Sequence, residues 1–264
     1  MFGSIFLALL NPTIALVLAF AFAVLWSRHG ETYVGAFAAS YLAYAGSFLL
    51  HLFPIPFGEP GNAIVSNLLL AAALLAFSVG IACRYRARPP VAGQLLIAAA
   101  GLSAMLWFMF VKPDFTMRMY LVNFMAGGML LRSALDIRAF AARKPVDTLL
   151  FAVVVLSGLT CLLRPIVGVW AFGPLSNRAE LLASPIWTVV NFTSPLFVLL
   201  IAAIVIGAIT AEMLEKLQRE TGIDPLSGLS NRRGFEEAAE NALQRSIAVG
   251  LPATLVLGDL DHFK

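Results

Sequence analysis

A chain of 264 residues that is 60% hydrophobic and only 12% charged cannot be held in water as a single soluble domain. Its net charge of +3 is small, and no cluster of Lys and Arg on a soluble face gives it the footprint of a nucleic-acid binder. The apolar residues gather in blocks of about 20, the length a helix needs to cross roughly 30 Å of hydrocarbon, so most of the chain is assigned to lipid and its last fifth to water.

The N-terminus, Met1-Phe2-Gly3-Ser4, has no Lys or Arg and lacks the positive region of a cleaved secretory signal, so the first apolar block is read as a retained membrane helix. Seven transmembrane spans are predicted: Phe6–Trp26, Tyr33–Phe53, Ala63–Cys83, Ala92–Val111, Met117–Leu135, Thr148–Ala171 and Pro185–Ile209. The breaker run Pro54-Ile55-Pro56-Phe57-Gly58-Glu59-Pro60-Gly61 separates the second from the third. Arg28, Arg84, Arg86, Arg88, Arg132, Arg138, Arg143 and Lys144 fall on one side, and only Lys112, Arg118 and Arg178 on the other. Positive-inside bias makes the first side cytoplasmic. An odd number of spans then leaves the N-terminus outside and the C-terminal segment in the cytosol. No external loop is long enough for a folded domain, so a stimulus is expected to be detected within or between the helices.

Cys83 and Cys161 lie at different depths, roughly 20 Å apart at helical rise, which excludes a disulfide; both are expected to be buried free thiols. Polar residues inside spans are costly. Asn11, His51, Asn67, Asn123, Arg164 and Asn191 all map to the outer half of their helices, with Gln94 the exception. One reading is an outward-opening polar vestibule, a candidate sensor pocket of Arg164, His51, Asn123 and Asn191, with Arg164 anchoring an anion and Pro165 and Pro195 kinking its walls. The other is that the amides bond between helices while Arg164 snorkels to the headgroups. His51 could ligate haem or copper, but no second His lies in the spans, and a polar residue at a helix end is the simpler reading.

From Ile209 the chain turns water-soluble with no Pro or Gly before Gly222, so the last span is expected to continue as one helix into the cytosol. Leu214, Leu217 and Thr221 have the 3-4 spacing of a coiled-coil seam, although a solvated amphipathic helix fits as well. Next comes Ile223-Asp224-Pro225-Leu226-Ser227-Gly228-Leu229-Ser230-Asn231-Arg232-Arg233-Gly234-Phe235. It holds two turns, and Ser230 or Asn231 can cap a helix that starts near Arg232 and places Phe235, Ala239, Ala242 and Leu243 on one face. After the break at Gly250-Leu251-Pro252, Ala253–Gly258 reads as a buried strand delivering Asp259-Leu260-Asp261-His262-Phe263-Lys264. Carboxylates there suit a hard cation that bridges phosphates; two acids beyond a strand can also form a solvated turn.

The run Asp224–Phe235 resembles the D-x-L-T-G-L-x-N-R-R-x-F motif of GGDEF domains, and Asp259–Lys264 resembles their D-x-D-x-F-K motif. Ser227 stands where Thr is usual, keeping the hydroxyl, and Ser230 where Tyr is common. The resemblance implies a diguanylate cyclase that condenses two GTP into cyclic di-GMP. It implies that Asp259 binds Mg2+ (or Mn2+) with the backbone carbonyl of Leu260, and that Phe263 and Lys264 lie against the GTP phosphates. Asp261 would shape the turn, and Asp224, Arg232 and Arg233 would be structural or relay signals. The family's GG[DE]EF turn does not appear before Lys264, so this polypeptide by itself is expected to lack cyclase activity.

The expected architecture is an all-α seven-helix membrane sensor over residues 1–209, a signalling helix over 210–222, and the beginning of an α/β GGDEF domain over 223–264. It is placed in a bacterial inner membrane, in contact with lipid, and expected to act as a homodimer through the linker helix and the GGDEF domain. Three alternatives stand beside a sensor cyclase: a degenerate GGDEF receptor, the regulatory half of a GGDEF-EAL phosphodiesterase, and a transporter with a signalling appendage. A rhodopsin is excluded, since Pro185–Ile209 holds no Lys for retinal.

Overall fold

In hydrocarbon every backbone N–H and C=O must be satisfied within its own segment, which leaves the apolar blocks no option but helix. The computed structural model describes residues 2–53, 57–141, 144–220, 222, 227–256 and 258. Among them run the helices α1 (Phe2–His29), α2 (Thr32–Leu52), α3 (Gly58–Arg84), α4 (Val91–Phe110), α5 (Phe115–Ala141), α6 (Pro145–Phe172), α7 (Arg178–Ala183), α8 (Pro185–Glu220) and α9 (Arg232–Val249).

Six of these, α1, α2, α3, α4, α6 and α8, are long and apolar enough to cross a membrane. The remaining predicted span, Met117–Leu135, the fifth in chain order, lies within α5, which has the length, 27 residues, but not the apolarity. Arg118, Asn123, Arg132 and Asp136 are distributed along it. It nevertheless packs against α3, α4 and α6.

Contacts between loops sort the helix ends into two groups. At one end Arg178 donates to the carbonyls of His51 and Leu52 at 2.9 and 3.0 Å, capping the C-terminus of α2, and pairs with Glu59 at 3.7 Å. Beside it, Thr116 at the start of α5 exchanges two 2.8 Å hydrogen bonds with the backbone of Leu175. At the other end the Tyr85 hydroxyl donates to Asp147 at 2.7 Å, joining the end of α3 to the start of α6. Burial and this carboxylate together push the phenol well above its ordinary range.

The interior is built from small residues and rings. Phe22, Phe37, Tyr41 and Phe77 form a ladder across α1, α2 and α3, and Ala71, Ala98, Met125 and Met129 join α3, α4 and α5. Gly127 and Gly158 bring α5 and α6 into backbone contact. Gln94, fully buried, donates to the Ser78 hydroxyl at 3.0 Å, the Met129 carbonyl at 3.1 Å and the Ser133 hydroxyl at 3.1 Å. One amide thus clamps three helices, which explains why it departs from the outer-half pattern of the other polar residues. Cys83 and Cys161 are free, but each is only partly buried rather than enclosed.

By its contacts the chain divides into two units, Met1–Val205 and Ile206–Lys264, the division falling inside α8. In the second unit α9 begins one residue after its cap, as the sequence predicts. The predicted strand is not confirmed: no strand occurs among the described residues, which do not include 257, and Leu255 and Val256 are 73% and 86% exposed. A strand exists only by pairing with a neighbour, and none is paired with this segment among the described residues. The described structure is therefore all helix and irregular chain, and the expected start of an α/β domain is not seen.

Candidate functional site

The first unit encloses a cavity of about 270 Å3 between α2, α3, α4, α5, α6 and α8. Its walls are mostly Phe, Leu, Met and Ala, because these helices are apolar on nearly every face. Into this apolar space project Arg164, Asn123, Ser194, Tyr44, Asn67 and His51. Arg164, on α6, is held by two neighbouring helices: its Nη2 donates to Asn123 Oδ1 of α5 at 2.7 Å, and its Nη1 to Ser194 Oγ and Thr193 Oγ1 of α8 at 3.1 and 3.3 Å. His51, in the last turn of α2, stacks on Trp187 with ring centroids 5.5 Å apart. Among the described residues no group of three or more His, Cys, Asp or Glu could hold a metal ion.

Three of the four residues expected to form a pocket, Arg164, His51 and Asn123, therefore line one cavity. Asn191 does not. It is buried against α1, where it accepts from Asn11 Nδ2 at 3.0 Å and donates to the Trp187 carbonyl at 2.9 Å. Asn11 in turn accepts from the Tyr44 hydroxyl at 3.3 Å, so this amide pair braces the wall from behind. Asn11 and Asn191 fasten α1 to α8, whereas Arg164 and Asn123, bonded to each other across α6 and α5, line the cavity. Sequence reasoning missed Tyr44, Ser194 and Arg118 in the lining; the hydroxyls of Tyr and Ser are too common in membrane helices to stand out.

A second cavity, about 310 Å3, lies at the end where Arg178 caps α2. It shares His51, Ala63, Met109, Phe115 and Arg118 with the first. Arg118, its guanidinium 4.9 Å from the Phe115 ring centroid, stands at this common wall.

In the second unit the chain folds back on itself ahead of α9. Gly222 adopts φ +69°, a left-handed conformation that only Gly takes without strain, and its carbonyl accepts from the Asn231 amide at 2.8 Å. Asn231 then caps α9, its side chain accepting from the Gly234 amide at 3.0 Å. The Ser227 hydroxyl accepts from the Leu229 amide at 3.4 Å. The first turn of α9 carries an exposed Arg232–Glu236 pair at 2.9 Å, and Phe235 and Leu243 on its apolar face are half exposed.

Gly234 is the residue the motif reading passed over. A Cβ there would overlap the Gly222 carbonyl oxygen and lie 2.8 and 2.9 Å from Gly222 C and Cα, all of them backbone atoms that cannot rotate away. Gly234→Ala should therefore open this closure at a cost of about 1–3 kcal/mol. Hydrogen-exchange mass spectrometry should read that as exchange of the Asn231 amide at least roughly tenfold faster.

Residues 227–235 of this loop and helix belong to the sequence run Asp224–Phe235. Residues 221–264 match the family model described as Diguanylate cyclase, GGDEF domain. The C-terminal segment is thus GGDEF sequence, which supports family membership of the diguanylate cyclase type. No curated protein matches the chain, and no solved structure does. Within the GGDEF segment the expected metal residues Asp259 and Leu260, and the phosphate-facing Phe263 and Lys264, lie outside the described residues. The same holds for Asp224, Asp261 and His262.

Proposed function

We propose that this chain is the sensory and linking part of a membrane diguanylate cyclase, which makes cyclic di-GMP from two GTP under the control of its helical bundle. The observation that carries the reading is the GGDEF match at residues 221–264, directly after a 36-residue helix, α8, whose first part is apolar enough to cross a membrane. In this reading α5 is also a span. Its polar side chains turn away from lipid: Asn123 bonds Arg164, and Arg132 pairs with Asp136 at 2.8 Å. With seven spans and the Arg-rich connections inside, this reading has the N-terminus outside and the GGDEF segment in the bacterial cytoplasm, where GTP is found.

The donor chemistry of Asp259 and the Leu260 carbonyl, both oxygen, suits Mg2+ or Mn2+. Such an ion neutralises phosphate charge while a 3'-hydroxyl attacks the α-phosphorus. The Lys264 ammonium and the Phe263 amide would hold the phosphates. Two GTP must face one another, so the working form is a homodimer, with α8 and the GGDEF segments as its natural contacts.

The test is a polypeptide carrying this chain together with the family's GG[DE]EF turn, in membranes, supplied with GTP and Mg2+. Cyclic di-GMP and pyrophosphate should accumulate in a ratio of one to two, as condensation of two triphosphates requires. Binding of cyclic di-GMP without synthesis would replace this reading with that of a degenerate receptor. Failure to bind either nucleotide would remove both.

A further inference from the structure

The Arg164 guanidinium has five N–H groups. Three reach Asn123, Thr193 and Ser194, and every one of these acceptors is a neutral oxygen. Among the described residues no Asp or Glu lines the cavity into which Arg164 projects, and the second cation there is Arg118, at the wall shared with the second cavity. A charge in apolar surroundings is costly unless an opposite charge meets it. Around Arg164 the described residues supply donors and an open apolar volume but no carboxylate; Glu59 lines the second cavity instead.

We propose that the cavity binds a carboxylic acid with an apolar body, its carboxylate on Arg164 and its hydrocarbon part among the Phe, Leu and Met walls. The Nε–H and the remaining Nη2–H are free to meet a carboxylate, for which the planar guanidinium fork is the matching shape. The volume of about 270 Å3 is at the lower edge of the roughly 300–1,000 Å3 that drug-sized ligands occupy, so the body is a medium chain or a single ring. Entry is through the second cavity, past His51, Phe115 and Arg118, with Arg118 and Arg178 attracting the anion there. As a stimulus, this ligand rests on the sensor reading given above; as a binding site, it does not.

The measurement is equilibrium dialysis of labelled octanoate against the chain in phosphatidylcholine nanodiscs, with empty discs correcting for partition into lipid. Saturable binding of octanoate is expected, at least tenfold tighter than that of octanol and of octylamine, and at least tenfold weaker in Arg164→Gln. The headgroup comparison uses the unaltered protein, so it decides the matter even where the variant does not fold. Equal binding of acid and alcohol, or undiminished octanoate binding by a folded Arg164→Gln, overturns the proposal. Loss of octanoate binding in phosphatidylglycerol discs overturns it too, since the occupant would then be a membrane lipid. No nucleotide enters the assay, so its failure leaves the cyclase reading standing, and absence of cyclic di-GMP synthesis leaves this one standing.

Discussion

Gly127→Ala is expected to destabilise the bundle by about 1–3 kcal/mol, and Gly127→Leu to leave little folded protein. A Cβ at Gly127 would sit 2.8 Å from the Gly158 carbonyl oxygen and 2.8 Å from Leu162 Cδ2. The leucine can change rotamer; the carbonyl is fixed in α6 and can only retreat if the two helices move apart. Close approach of this kind is how membrane helices associate, because lipid offers no hydrophobic drive and packing must supply the energy. The neighbouring glycine is the internal control. A Cβ at Gly128 would meet Ile97 Cγ2 at 3.4 Å, an ordinary contact. Gly128→Ala should therefore be neutral or stabilise by up to about 1 kcal/mol through helix propensity. Unfolding in mixed micelles, or the monodisperse fraction on gel filtration, compares the two. Equal behaviour of Gly127→Ala and Gly128→Ala would show that the α5/α6 contact is not tight.

The second large effect concerns chemistry. In a cyclase-active polypeptide containing this chain, Asp259→Asn should abolish synthesis of cyclic di-GMP, while Asp261→Asn should retain activity within about tenfold. The amide keeps the shape of the carboxylate and removes its charge. A divalent ion at a transferring phosphoryl group contributes several kcal/mol, and at 1.4 kcal/mol per factor of ten its loss costs on the order of a thousandfold. Asp261, assigned to the turn, should matter only through local shape. Product formed at saturating GTP and Mg2+ is the readout; an active Asp259→Asn enzyme would show that this carboxylate does not hold the metal.

Depth in the membrane is a one-dimensional quantity, and residue order carries it well. The expectation that Asn11, His51, Asn123, Arg164 and Asn191 share one half of the bundle needed only the span boundaries, and Asn11 does meet Asn191, as Asn123 meets Arg164. Azimuth is different, since helices apolar on every face have no stripe to say which way a given residue points. So Arg164 and Asn123 could be placed in the cavity, and Asn191 behind its wall, only from packing. The same gap hid the α5/α6 contact: Gly127-Gly128 reads as two equivalent glycines, yet only one meets a backbone carbonyl.

Other features were written locally. Asn231 was one of two predicted caps and is the one used, because the Gly234 amide lies three residues on. The short α7 went unread although its signal is present: Asn177 accepts from the Glu180 amide at 2.9 Å and Glu180 reaches back to the Ser176 amide at 2.7 Å, a reciprocal cap. α5 falls short of a span on apolarity, and composition does not register that its Asn123 bonds Arg164 or that its Arg132 pairs with Asp136. The strand at 253–258 shows the limit of local pattern, because its pairing partner lies elsewhere in any chain.

Arg164 grips α8 at Thr193 and Ser194, and Pro195 follows at once. A proline inside a helix removes one backbone bond and lets the rod bend there. From that point α8 runs to Glu220 without another proline, about 40 Å at helical rise. Within the first unit the stretch from Pro195 to Val205 is about 15 Å long at helical rise, so a bend of about 5° beside the guanidinium would carry Val205 sideways by roughly 1 Å.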